Sequence, residues 1–178
     1  ELIKENIDRE GIECDFTWVH GYLIPADNEQ PNILYKEQKA AKECGLDLKI
    51  KNTPLLKEGR MGLSFPHMAQ FHPLKYLAGL VKAFTDLGGE IYENTLVQEV
   101  EQVGKEEVKV TTKNHFVISA KYAVVATDTP INDRFRIHTK QYAYRTYAIA
   151  FKLDHTPNPA LIWDTADPYH YIRLQDNY

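Results

Sequence analysis

The chain has 178 residues, 43% of them apolar and 26% charged, with a net charge of −4. That is enough chain to bury a sizeable core, with an ordinary soluble balance. The mixed, slightly acidic charge offers no basic field for nucleic acid, no apolar run nears the ~20 residues of a membrane span, and Cys14 and Cys44 make no disulfide framework.

A reducing cytoplasm is the expected setting. Glu1-Leu2-Ile3-Lys4 opens charged and helix-like, so no signal peptide is expected. Neither end reads as a natural terminus, and the expectation is an internal piece of a longer protein.

In chain order, Leu2, Ile3 and Ile7 fall at helical spacing, and Gly11 suits a stop. Cys14, Phe16, Trp18, His20 and Tyr22 then alternate, which predicts a strand with one buried face. Pro25 to Asn28 forms a turn. Ile33 to Cys44 is charged and helical, and Gly45 ends it. Leu46 to Ile50 is a short strand candidate, and a loop with Pro54 and Gly59 follows.

Met61 to Phe65 predicts a short strand. Pro73 then suits a first helical position, because its missing N–H costs nothing there. Leu74, Leu77, Leu80, Val81, Phe84 and Leu87 trace one helix face up to Gly88-Gly89. Glu90 to Glu93 reads as a strand. Leu96–Val103, Glu107–Thr112 and Phe116–Ala120 read as a three-stranded meander. Tyr122 to Ala126 is a continuous apolar run, the pattern of a strand buried on both faces. After a loop through His138, Tyr142 to Leu153 predicts a long strand. Leu161–Trp163 and Tyr169–Leu174 flank Asp164–Pro168 as a hairpin.

A dinucleotide-binding sheet usually carries G-x-G-x-x-G after its first strand, so that the backbone can approach a pyrophosphate. Nothing in the 178 residues matches that spacing or a P-loop. His67 and His72 lack an evident third metal ligand. Asp164, Asp167 and His170 read as turn residues rather than a metal cluster. Cys14 reads as a small packing residue, since no base stands near it in sequence.

Four segments carry a family resemblance: Phe71-His72-Pro73-Leu74-Lys75-Tyr76-Leu77, Gly88-Gly89-Glu90-Ile91-Tyr92, Thr95-Leu96-Val97, and Val124-Val125-Ala126-Thr127. They resemble the middle of the D-amino-acid oxidase-like flavoproteins, the group of sarcosine and glycine oxidases. Ile12 to Phe16, Thr139-Lys140-Gln141, Tyr144 to Tyr147 and Asp164 to Tyr171 resemble a bacterial branch of it. Several members of that branch carry a C-terminal Rieske domain.

The resemblance implies an α/β chain with mixed sheets: part of an FAD-binding domain with a three-stranded meander, plus an antiparallel substrate-type sheet. Residues 1–12 would be a terminal helix of the FAD domain. Residues 13–69 would be a first pass of the substrate domain, 70–138 the second half of the FAD domain, and 139–178 a second pass. FAD is the implied cofactor, with a [2Fe–2S] cluster in a domain outside these residues. Val97 would touch the adenine side of FAD through its backbone, and Ala126 and Thr127 would lie near the cofactor. The family has a small residue after Ala-Thr where this chain has Asp128, an unfavourable charge beside a flavin phosphate, so Asp128 is no site residue.

The implied activity is oxidation of a small amine or amino acid by hydride transfer to flavin, with little or no catalysis expected of residues 1–178 alone. A substrate carboxylate wants an arginine fork, often with a tyrosine hydroxyl beside it. The candidates are Tyr144, Arg145, His170, Tyr171 and Arg173. Strand alternation puts Tyr171 and Arg173 on one face and His170 on the other. An exposed apolar flank at Val124 and Val125 is expected, available to a homodimer. A second reading is a non-enzymatic binding module that uses its aromatic hairpin to hold a ligand or partner.

Overall fold

The structure, a computed structural model, describes residues 1–54, 56, 59–128, 131, 142, 144–154 and 158–174. The chain divides into two compact units, Glu1–Leu87 with Ile149–Tyr178, and Gly88–Ala148. The fold is mixed α/β, with one mixed sheet and one antiparallel sheet.

The first unit begins with α1 (Leu2–Glu10), β1 (Thr17–Ile24) and α2 (Asn32–Glu43). It continues with β2 (Lys49–Asn52), β3 (Met61–Gln70) and α3 (Pro73–Asp86). Pro73 opens α3 as expected, and His72 caps it by accepting the Lys75 N–H on its ring Nδ1. α1 packs on α3 through Ile7, Ile12, Cys14 and Tyr76. Gly79 permits this approach, since a Cβ there would lie 2.5 Å from Ile12. Asn6 ties the two helices by donating to the Tyr76 hydroxyl at 3.0 Å.

The strand predicted from Cys14 starts instead at Thr17. Asp15 takes a left-handed φ of 55°. That bend turns Cys14 into the helix cluster before the chain becomes extended. The strand predicted over Leu46–Ile50 begins at Lys49, and that predicted over Met61–Phe65 continues to Gln70.

After the second unit, β7 (Ala160–Asp164) and β8 (Tyr171–Arg173) complete a five-stranded sheet in the order β2-β3-β1-β7-β8. β7 and β8 form the expected antiparallel hairpin. The sheet as a whole is not antiparallel, because β1 and β7 pair in parallel. A parallel pair needs a long crossover, and here everything between Ile24 and Ala160 serves as one. α2 covers part of one sheet face, burying Leu34, Leu48 and Leu63. Each such leucine contributes about 1.5–3 kcal/mol of burial. Tyr22, Ile24, Ala160 and Ile162 form a separate cluster around β1 and β7.

The second unit is the meander β4 (Val97–Val103), β5 (Glu107–Thr112) and β6 (Val117–Ala120), in sheet order β4-β5-β6. Two predicted strands are absent from it. Glu90–Glu93 is unpaired, and the Tyr92 hydroxyl donates to the Glu90 carboxylate, which pushes the Tyr92 pKa up. Tyr122–Ala126 is also unpaired, with Val124 90% exposed. No strand is assigned among the described residues from Tyr142 to Leu153, where one was predicted. In all three places the composition suits a strand, but the described residues provide no neighbour to complete a ladder. The loop predicted through His138 lies largely outside the described residues.

Candidate functional site

β7 and β8 pair Trp163 with Tyr171 and Leu161 with Arg173, so these four side chains share one sheet face. The parallel pairing with β1 aligns Gly21 with Leu161 and Leu23 with Trp163 on that same face. The expected pairing of Tyr171 with Arg173 on one face is therefore present, and it lies beside aromatic and aliphatic neighbours.

A β-bulge brings in one more side chain. Between the pairs Val19–Met68 and Gly21–Phe65, β1 spends one residue, His20, and β3 spends two, Pro66 and His67. His67 absorbs the extra step at a φ of 63°. The bulge resets the alternation, so Met68 joins Phe65 on the face of Trp163. Gly21 is where this face is thinnest. A Cβ there would lie 2.8 Å from the Trp163 ring and 3.0 Å from Met68 Cγ. Glycine in a strand interior often marks such a close approach. Phe65 backs the Trp163 ring at 5.2 Å between centroids.

The result is a cavity of about 330 Å³ lined by Met68, Leu161, Trp163, Tyr171, Ile172 and Arg173. Its lining surface is almost wholly apolar, and Tyr171 and Arg173 are the lining residues whose side chains end in polar groups. Among the described residues Arg173 has no ion-pair partner. Met68, Leu161, Trp163, Ile172 and Gly21 were not singled out in the sequence. A glycine inside the predicted strand, at position 21, was the available signal.

His170 is placed differently. It stands opposite Asp164 at the hairpin mouth, with its ring Nδ1 2.7 Å from the Asp164 carboxylate. Asp164 also accepts the His170 backbone N–H at 2.9 Å and the Ala166 N–H at 3.2 Å. Partial burial pushes the Asp164 carboxyl up, but the hydrogen bonds from His170 and Ala166 outweigh it and hold the carboxyl below its ordinary value. Thr165 ties the loop to the β1 end by accepting the Ala26 N–H at 2.9 Å and by pairing with Glu29. Among the described residues, no group of three or more His, Cys, Asp or Glu could hold a metal ion.

Tyr144 and Arg145 belong to the second unit, on a stretch without strand pairing, and are exposed. Val97 opens β4, an outer strand of the meander. Between Val97 and Glu99 the pairing shifts by one residue, a bulge at Gln98. Bulged backbone on an edge strand keeps polar groups outside the ladder, and such groups suit contacts to a cofactor's polar rim. Ala126 and Thr127 lie on the exposed run after β6. The phosphate-cradling glycine loop has no counterpart in residues 1–178.

The two sheets and the flanking helices define a mixed α/β protein. Comparison with known proteins makes the class specific. The family model of FAD-dependent oxidoreductases matches residues 1–178, so the chain belongs to that family.

Three curated relatives are similar to it. A protein named as a Rieske 2Fe-2S iron-sulfur protein, YhfW of Bacillus subtilis, is 27% identical over 154 residues, covering 85% of this chain and 30% of that protein. A protein named as an oxidoreductase, OrdL of Haemophilus influenzae, is 32% identical over 138 residues, covering 72% of this chain and 30% of that protein. Gamma-glutamylputrescine oxidoreductase of Escherichia coli is 28% identical over 142 residues, covering 75% of this chain and 32% of that protein. The chain thus spans about a third of the length of the curated relatives it matches. Among the described residues no helix is long and apolar enough to cross a membrane.

Proposed function

We propose that the protein containing these residues oxidises an amine or amino acid by hydride transfer to FAD, and that the Tyr171–Arg173 cavity holds the substrate. The observation that carries the substrate assignment is that Tyr171 and Arg173 share one sheet face and both line an apolar cavity, with no ion-pair partner for Arg173 among the described residues. An arginine fork takes a carboxylate through two parallel hydrogen bonds, which fixes orientation as well as charge. Bound FAD would supply the hydride acceptor. Tyr171 and Arg173 would orient the substrate, and the Trp163–Met68 wall would exclude water. An amine substrate is supported by the name of the Escherichia coli relative.

In this reading Val97, Ala126 and Thr127 face the cofactor. Residues 1–12 and 70–138 belong to the flavin domain, and residues 13–69 and 139–178 to the substrate domain. Two features support the partition. The strands of the five-stranded sheet lie within 13–69 or 139–178 except for Gln70, the last residue of β3, and α1 packs on α3. The name of the Bacillus subtilis relative supports an accompanying [2Fe–2S] cluster outside these residues. Two free cysteines suit a reducing cytoplasm. A non-enzymatic binding module is supported only by the exposed Tyr169–Tyr171 ring pair, 5.1 Å between centroids.

The test is spectroscopic. The purified intact protein should show flavin absorbance that bleaches anaerobically with an amine or amino acid. Arg173→Lys should lower the kcat/KM ratio of a carboxylated amine to its uncharged analogue tenfold or more, about 1.4 kcal/mol. A protein that stays colourless after incubation with FAD supports the binding module instead. An unchanged ratio removes Arg173 from the site.

A further inference from the structure

We infer that Gly21, the bulge at Pro66–His67 and Trp163 together set substrate specificity, and that the cavity selects a carboxylate carrying a compact apolar body of leucine or phenylalanine size. This rests on the reading of the cavity as the substrate site.

The wall composition comes first. The surface that Met68, Leu161, Trp163 and Ile172 present to the cavity is almost wholly apolar, so a charged or amide side chain placed against it would lose its hydration with little return. Arg173, the single charge of the lining, favours an anionic end and repels a cationic one. The ligand that satisfies both is anionic at one end and apolar at the other. At about 330 Å³ the cavity lies at the low end of the ~300–1,000 Å³ typical of small-molecule sites, which suits a single amino acid better than a peptide or a polyamine.

The depth of the cavity depends on an atom that is missing. Trp163 lies over the β1 backbone where Gly21 has no side chain. Any side chain at position 21 would meet the Trp163 ring at 2.8 Å and Met68 Cγ at 3.0 Å. Trp163 cannot retreat sideways, because Phe65 is packed behind it. The ring would have to move outward, into the space a substrate body would use. The bulge contributes the second wall. Without the left-handed step at His67, strict alternation through Pro66 and His67 would put Met68 on the opposite face of the sheet from Phe65. Neither Gly21 nor the bulge touches a reacting group. Both act by shaping the wall.

The experiment uses the intact flavoprotein and a series of amino acids in both configurations: glycine, alanine, leucine, phenylalanine, glutamate and lysine. Anaerobic flavin reduction should give kcat/KM for leucine and phenylalanine at least tenfold above that for glycine, glutamate or lysine. Gly21→Ala should lower the phenylalanine-to-alanine ratio tenfold or more. Trp163→Leu should shift the preference toward larger bodies, and it carries the test if Gly21→Ala fails to fold.

Calorimetry with phenylacetate, acetate and phenethylamine reads selection without turnover, and phenylacetate should bind at least tenfold tighter than the other two. A preference for glutamate, lysine or glycine overturns the inference, and so do ratios unchanged in both variants. If phenylacetate binds selectively but no amine bleaches the flavin, the oxidase reading falls and the inference stands. If amines bleach it without regard to side chain, the inference falls and the oxidase reading stands.

Discussion

The two units solve the burial problem very differently. The first has three buried clusters, and Leu34, Leu63 and Ile162 in it are each only 1% exposed. In the second, Val108 and Thr112 are the only buried side chains among the described residues, while Phe116, Val117, Ile118, Tyr122 and Val124 stand in solvent. Both are rich in β-branched and aromatic residues, so composition does not separate them. The first unit contains the partners its apolar faces need: α2 over one sheet face, α3 beside α1, and β7 beside β1. The second holds a meander whose faces have little of their own to pack on. An apolar pattern records the environment a segment is selected for. It becomes a strand only where another strand completes the ladder.

The largest expected effect tests that contrast directly. Leu63→Ala should destabilise the protein by about 2–5 kcal/mol, read from the urea midpoint, because it opens a cavity between Leu34 and Leu48. Ile118→Ala, at a side chain 46% exposed, should cost about 1 kcal/mol or less. Equal losses would mean that the meander face is as tightly packed as the α2 face in the working protein, and the contrast between the units would disappear.

A labelling experiment sharpens the same point with a smaller effect. Contiguous apolar surface is seldom left in water, and it commonly marks a contact. We therefore expect Val124 to be covered in the intact protein, by a second copy or by chain outside residues 1–178. A cysteine replacing Val124 in a Cys44→Ser background should react with a thiol reagent at least tenfold more slowly than the exposed Cys44 of the unsubstituted protein. Equal rates would make Val124 true surface. Sedimentation then separates the two covers, since a second copy doubles the mass.

Legibility in the sequence followed the same division. Pro73 to Leu87 could be read almost to the residue, because periodicity, an N1 proline and a Gly-Gly stop agree. The meander was legible from its alternation. Tyr122–Ala126 was not, because its apolar run specifies burial without saying by what. At the site, the shared face of Tyr171 and Arg173 followed from the period of two, whereas Met68 could not be placed. The bulge at Pro66–His67 breaks that period, and nothing in the local sequence fixes on which side it does so. His170 was legible as lying on the opposite face from Tyr171. Its bond to Asp164 depends on hairpin register, which pairing reveals and composition does not.

The smallest effect belongs to that hairpin mouth. Asp164 has a folded-state pKa below its unfolded value, so the carboxylate's contribution is fully present above the ordinary carboxylate range. It is lost as pH falls from there through the depressed value. Asp164→Asn should remove that acid-side dependence and cost on the order of 1 kcal/mol at neutral pH, because the amide oxygen can still accept the two backbone N–H groups but the side chain no longer carries the charge facing His170. The substitution leaves Tyr171 and Arg173 their strand pairing with Trp163 and Leu161. If the loop only holds the hairpin closed, the variant should melt slightly earlier and keep its order of substrate preference. A changed preference at unchanged stability would move the Asp164–His170 pair from the frame of the cavity into the site itself.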